Sequence, residues 1–284
     1  MEIKKAAVVG GGTMGNGIAH VFAMNGIPVH LVETSRELAE NAVATIEYNL
    51  ERMVDKGKID PEKKLETLNG IKTFTDLAKG VEQVNLVVEA VPENFQLKKQ
   101  VFAEVDAATG EDAILASNTS SISITRLAAT IRRPDRFIGM HFFNPVPIMT
   151  LIEVVRGLET SQATYDSVER IARAIDKTPV EAKDSPGFVS NRVLMPMINE
   201  AIFCVYEGVA DPEDVDAVMK LGMNHPMGPL RLADFIGLDV CLDIMEVLYE
   251  GFKDPKYRPC PLLVKMVDAG RLGDKTGEGF YRHD

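Results

Sequence analysis

Apolar residues in the first 184 positions recur in two alternating rhythms. Short solid runs at Ala6–Gly10, Pro28–Glu33, Ile71–Phe74, Val84–Ala90, Ala113–Ser117 and Phe137–His141 read as strands covered on both faces. Between them Gly15–Asn25, Glu37–Lys56, Glu93–Ala107 and Ser123–Thr130 read as helices. The longest keeps the helical period through Ala42, Ile46, Leu50, Met53 and Val54. Strands alternating with helices require right-handed crossovers, so the pattern predicts a doubly wound, mainly parallel α/β sheet. A second apolar run, Leu151–Val155, follows Phe137–His141 after a proline-containing connection too short for a crossover helix. It is expected to run antiparallel, as an edge addition. Thr164–Ile175 reads as a helix and Pro179–Ala182 as the last strand.

The rhythm changes at "KDSPGF", residues 183–188, the strongest turn punctuation in the chain. Beyond it only helical patterns occur. The expectation is a sheet domain over residues 1–184 and a smaller all-α domain over 185–284. Phe188–Tyr206 is apolar around most of its circumference, with Pro196 inside it predicting a kink. Asp211–Pro212–Glu213 reads as a helix start with a capping aspartate. This domain carries more apolar helix surface than its size needs, which predicts a symmetric homodimer.

Charge and composition narrow the partners. A net charge of -11 argues against nucleic acid or an anionic membrane surface as the main partner. The three cysteines, Cys204, Cys241 and Cys260, are widely spaced and suggest neither a disulfide framework nor a metal site. Met1–Lys5 runs straight into the first apolar run, and no stretch of 18 apolar residues occurs, so the expected address is the cytoplasm.

The chemistry begins at "VVGGGTMGNGIAHV", which fits G-x-G-x-x-G at Gly10, Gly12 and Gly15. It follows a strand and opens a helix in the first βαβ unit, the context a dinucleotide needs. Glu33 ends the next strand, 18 residues after Gly15, where an acid would bind ribose hydroxyls. The dinucleotide is NAD or FAD, and the lack of a long flavin-covering insertion favours nicotinamide. Arg36 is placed to meet a 2′-phosphate, which leaves NADP open.

His141 then stands out at the carboxyl end of a late strand, the rim where open α/β sheets bind ligands. A hairpin centred on Pro147 sets it opposite Glu153. A core histidine with a chance partner is the plain alternative. Hydride chemistry on an alcohol, however, needs a proton acceptor, and imidazole titrates near neutrality. A facing carboxylate would fix its tautomer.

"GGGTMGNGIA", "ASNTSS", "MHFFNPVPIMTLIEVV", "DSPGFVSNR", "GMNHPMGPLRLADFIGLD" and "KTGEGFY" together resemble the L-3-hydroxyacyl-CoA dehydrogenase family, and within it the short bacterial 3-hydroxybutyryl-CoA dehydrogenases. The resemblance spans essentially the whole chain. It implies a Rossmann domain, a helical substrate and dimerisation domain, and reversible NAD-linked oxidation of a 3-hydroxyacyl-CoA in fatty-acid and butanoate metabolism. It implies His141 as base, Glu153 as its partner, Ser120 on the substrate hydroxyl and Asn191 as a substrate contact from the second domain. For the cofactor it implies the loop Gly10, Gly12, Thr13, Met14 and Gly15, together with Glu33, Glu93, Lys98, Ser120, Asn144 and Lys275. Asn49, Arg52 and Lys56, which share a helix face, are implied contacts of the coenzyme A handle. Two rival readings are a dehydrogenase of a free hydroxy or sugar acid, and an NAD-binding structural protein.

Overall fold

The computed structural model describes residues 2–283. The chain divides into two compact units between Asp184 and Ser185. The first runs β1 (Ala6–Val9), α1 (Thr13–Met24), β2 (Val29–Val32), α2 (Arg36–Asp55), α3 (Pro61–Asn69), β3 (Ile71–Phe74), α4 (Leu77–Val81) and β4 (Leu86–Glu89). It continues with α5 (Phe95–Ala108), β5 (Ile114–Ser117), α6 (Ile124–Ala128), β6 (Phe137–Phe142), β7 (Leu151–Arg156), α7 (Gln162–Ala174) and β8 (Thr178–Lys183).

The eight strands form one sheet in the order β3-β2-β1-β4-β5-β6-β7-β8. Strands β1, β2, β4 and β5 are buried at every position, because helices cover both faces. The outermost strands β3 and β8 are covered only in part and expose polar side chains. Every neighbouring pair is parallel except β6 and β7. The strand order reverses between β1 and β4, the position at which such sheets open a ligand crevice above their carboxyl ends.

Two sequence expectations need correction here. Strand β7 is antiparallel to β6 as expected, yet it is not the edge. Helix α7 returns the chain so that β8 pairs in parallel outside it. Asp211 precedes its helix, but its side chain makes no capping hydrogen bond; Pro212 at the first helical position lacks an N–H and leaves fewer donors to satisfy.

The second unit contains α8 (Ser190–Tyr206), α9 (Pro212–Met223), α10 (Pro229–Ile236), α11 (Leu238–Phe252) and α12 (Pro261–Asp268). Its core gathers Ile198, Ile202, Leu230, Leu238, Met245 and Leu263. Buried Asp234 accepts from the N–H groups of Phe280 and Tyr281 and contacts His283 Nε2, which ties the last segment down. No described helix is long and apolar enough to cross a membrane.

Candidate active site

The glycine loop turns β1 into α1 under tight steric limits. Gly10 has φ +95°, and a Cβ at Gly15 would lie 1.7 Å from the Gly10 carbonyl oxygen. A Cβ at Gly12, by contrast, would meet nothing within 4 Å, so the loop's outer face is open. Helix α1 starts at Thr13 behind Gly12, with no side-chain cap and no acid in its first turn, which leaves N–H groups for an anion. The Gly11 N–H donates to Glu33 Oε1 at 2.5 Å, and the Thr34 N–H donates to Oε2 at 2.9 Å. Each oxygen keeps acceptor capacity for a hydroxyl.

This loop floors a cleft of about 440 Å³ that Gly12, Thr13, Glu33, Asn49 and Asn144 help to line. The residues fit a dinucleotide: an unobstructed glycine turn for the pyrophosphate and a fixed acid for a ribose. Met14 packs on the core beside the loop. Arg36 donates to Glu40 across one helical turn.

A second group gathers where β4, β5 and β6 end. The antiparallel register sets His141 opposite Glu153. Both are buried, with His141 Nδ1 2.7 Å from Glu153 Oε2. The other ring nitrogen, Nε2, lies 3.0 Å from Ser120 Oγ. A carboxylate only accepts, so Nδ1 carries the proton that Glu153 receives, and Nε2 is left as the acceptor for a hydroxyl.

Ser120 is held from below. Helix α5 begins at Phe95, two residues later than the sequence suggests, because Asn94 accepts from the Leu97 N–H and caps it. Glu93 thereby stays outside the helix, where its Oε1 accepts from Thr119 Oγ1, the Ser120 N–H, the Ser121 N–H and Ser121 Oγ. Burial pushes the Glu93 carboxyl up, but the Lys98 charge and the hydroxyl hydrogen bonds outweigh it and hold it below its usual range. Lys98 is itself buried, with Nζ 2.6 Å from Glu89 Oε1 and 3.3 Å from Glu93 Oε2. Glu89 Oε2 accepts from Ser117 Oγ at 2.7 Å. Burial raises the Glu89 carboxyl despite these partners.

Sequence reasoning missed Glu89 and Ser117, although an acid closing the apolar run of β4 is the same signal that exposed Glu153. It also missed Asn118, whose Oδ1 accepts from the Phe142 N–H beside His141.

Asn49, Arg52 and Lys56 line a separate cleft of about 310 Å³ at the end of α2. In the second unit, Asn191 is buried in the first turn of α8, and Lys275 pairs with Asp239.

Comparison with known proteins agrees over the full length. Residues 5–185 match the NAD-binding domain of 3-hydroxyacyl-CoA dehydrogenase, and residues 187–283 match its C-terminal domain. The chain is 53% identical to a probable 3-hydroxybutyryl-CoA dehydrogenase of Bacillus subtilis, covering 100% of this chain and 99% of that one. It is 42% identical to the human mitochondrial hydroxyacyl-coenzyme A dehydrogenase, over 99% of this chain and 91% of that one. The crystal structure of (S)-3-hydroxybutyryl-CoA dehydrogenase from Ralstonia eutropha superposes with a TM-score of 0.98 at 50% identity, covering both chains completely. The chain belongs to the 3-hydroxyacyl-CoA dehydrogenase family.

Proposed function

We propose that this protein catalyses the reversible NAD-linked oxidation of (S)-3-hydroxyacyl-CoA to 3-oxoacyl-CoA, with 3-hydroxybutyryl-CoA and acetoacetyl-CoA as the pair. The observation that carries the reading is the continuous line Ser120–His141–Glu153 at the sheet rim. Ser120 Oγ holds the substrate hydroxyl, and His141 Nε2 takes its proton. When bound, the nicotinamide accepts the hydride that leaves C3. Glu153 stabilises the imidazolium, and in the reducing direction the same proton returns to the carbonyl oxygen. Glu93, fixed on the 119–121 loop, keeps Ser120 in reach of the ring. Asn191 is the second unit's substrate contact in this reading, and Lys275 its cofactor contact.

The cofactor is NAD rather than NADP, because the Glu33 carboxylate repels a 2′-phosphate and Arg36 is engaged by Glu40. Asn49, Arg52 and Lys56 receive the coenzyme A handle. The working protein is a cytoplasmic homodimer formed through the helical unit, whose Val193, Val218, Leu221 and Phe235 are exposed. Light scattering at micromolar concentration is expected to give twice the chain mass, and a monomer would contradict this.

The test of function is NADH oxidation by the purified protein with acetoacetyl-CoA and, separately, free acetoacetate. Fast oxidation with the thioester and little with the acid is expected, with NADPH a poor replacement. Equal rates with both substrates would favour a free hydroxy-acid dehydrogenase. No oxidation with either would favour a structural role.

A further inference from the structure

The face of α1 that continues away from the glycine loop carries a group that none of this chemistry uses. Gly17 lies against the loop after β6: a Cβ there would meet Val146 Cβ at 2.9 Å and Pro147 Cδ at 3.6 Å. One turn on, His20 lines the second cleft together with Asn49, Arg52, Lys56, Pro147 and Ile148. His20 is fully buried, yet neither Nδ1 nor Nε2 has a hydrogen-bond partner among the described residues. Buried polar side chains are rarely left this way, and each exception calls for a ligand, a water or a function.

The chemistry of the ring restricts what it meets. Burial lowers its pKa to about 4, and the neighbouring Lys177 charge pushes in the same direction. That lysine is fixed beneath the proline loop, donating to the carbonyls of Val146 at 2.6 Å and Met149 at 2.7 Å. His20 is therefore neutral at physiological pH and presents one N–H donor and one lone pair. Such a group does not attract phosphate. Arg52, Lys56 and Lys58, exposed around the same cleft, supply the cations that do. A ligand that suits both is long and bipartite, anionic at one end and neutral but polar along its arm.

We propose that His20 is a specificity-determining residue for the substrate: its imidazole hydrogen-bonds an amide of the pantetheine arm, while Arg52 and Lys56 meet the phosphates. This rests on the reading of the substrate as a coenzyme A thioester. An amide carries both a donor and an acceptor, so either ring nitrogen can be satisfied by it. Asn49, Pro145 and Pro147 line both this cleft and the cofactor cleft, so the two lie side by side along α2.

The experiment uses the full chain as wild type, His20→Leu and His20→Gln, with NADH and three substrates. These are acetoacetyl-CoA, acetoacetyl-pantetheine, and S-ethyl acetothioacetate, which has the thioester but no amide. Wild-type turnover of acetoacetyl-CoA tests the functional reading by itself; its absence overturns that reading and this proposal together. Given that turnover, His20→Leu should raise KM about five- to tenfold for both amide-bearing substrates, the usual worth of one hydrogen bond. It should leave kcat and the KM for S-ethyl acetothioacetate within about twofold. His20→Gln, which restores a donor and an acceptor, should return the amide-bearing substrates close to wild-type KM. Unchanged KM in His20→Leu would mean that the ring serves only a bound water and would overturn the proposal. An equal rise on all three substrates would overturn it in favour of packing. His20→Met repeats the test on a flexible side chain if leucine disturbs the fold.

Discussion

Two buried histidines in the sheet unit differ in what meets their rings. His141 sits next to the last position of a strand and is engaged at both nitrogens, by Glu153 on one side and Ser120 on the other. His20 sits on a helix under the proline loop, with no hydrogen-bond partner at either nitrogen among the described residues and in the field of a lysine. The first arrangement suits a ring that must change charge during a reaction, since a carboxylate stands ready to stabilise the cation. The second suits a ring that must stay neutral. Burial alone therefore says little about a histidine's role; the partner decides it.

The largest effect is expected at His141. His141→Gln should lower kcat by about 10²–10⁴, the usual worth of a positioned general base, while NADH affinity measured by fluorescence stays near wild type. Unchanged turnover would remove His141 from the chemistry.

His20 differs in its response to acid. Its folded pKa lies below the unfolded value of 6.5, so the unfolded chain binds the proton first. The stability that neutral His20 contributes is fully present above pH 6.5 and is lost as pH falls toward 4. The loss should reach about 3 kcal/mol. Urea unfolding at pH 7 and pH 4.5 should show a steeper decline for wild type than for His20→Gln. Parallel declines would contradict the placement of the ring.

A smaller effect is expected at the mouth of the second cleft. Arg52→Ala with Lys56→Ala should raise KM for acetoacetyl-CoA about tenfold, and less as salt screens the attraction. A thioester lacking the nucleotide should be unaffected. Equal losses on both would assign the two cations to stability.

The smallest effect concerns Glu93. Glu93→Gln weakens the acceptor of four hydrogen bonds on the 119–121 loop. It should reduce kcat about three- to tenfold through misplacement of Ser120, with the melting temperature nearly retained. A melting temperature that collapses with unchanged kcat per folded molecule would make Glu93 purely structural.

Much of this is legible in the sequence. The pairing of His141 with Glu153 follows from arithmetic, because a hairpin's centre fixes which residues face each other and strand identity was clear from the apolar runs. The glycine loop was legible because steric limits at Gly10 and Gly15 leave no other residue type. What escaped depends on geometry the chain does not spell out locally. The meeting of Lys98 with Glu89 requires the rotation of α5 over the sheet. The outer position of β8 depends on which side of β7 the crossover returns. Helix α3 carries Asp60–Pro61–Glu62, and Asp60 does cap it, but only Thr67 in it is buried, so no apolar stripe betrayed it. His20 falls within the helical run Gly15–Asn25 without a motif of its own, and nothing in a sequence reports a missing partner.

If His141 and Glu153 act as one acid–base unit, a double-mutant cycle on kcat for 3-hydroxybutyryl-CoA oxidation will show it. Glu153→Gln should lower kcat in the wild-type background and change it little where His141→Gln has already removed the base. The same fractional loss in both backgrounds would mean that the two side chains act independently and that the hairpin pair is not a unit.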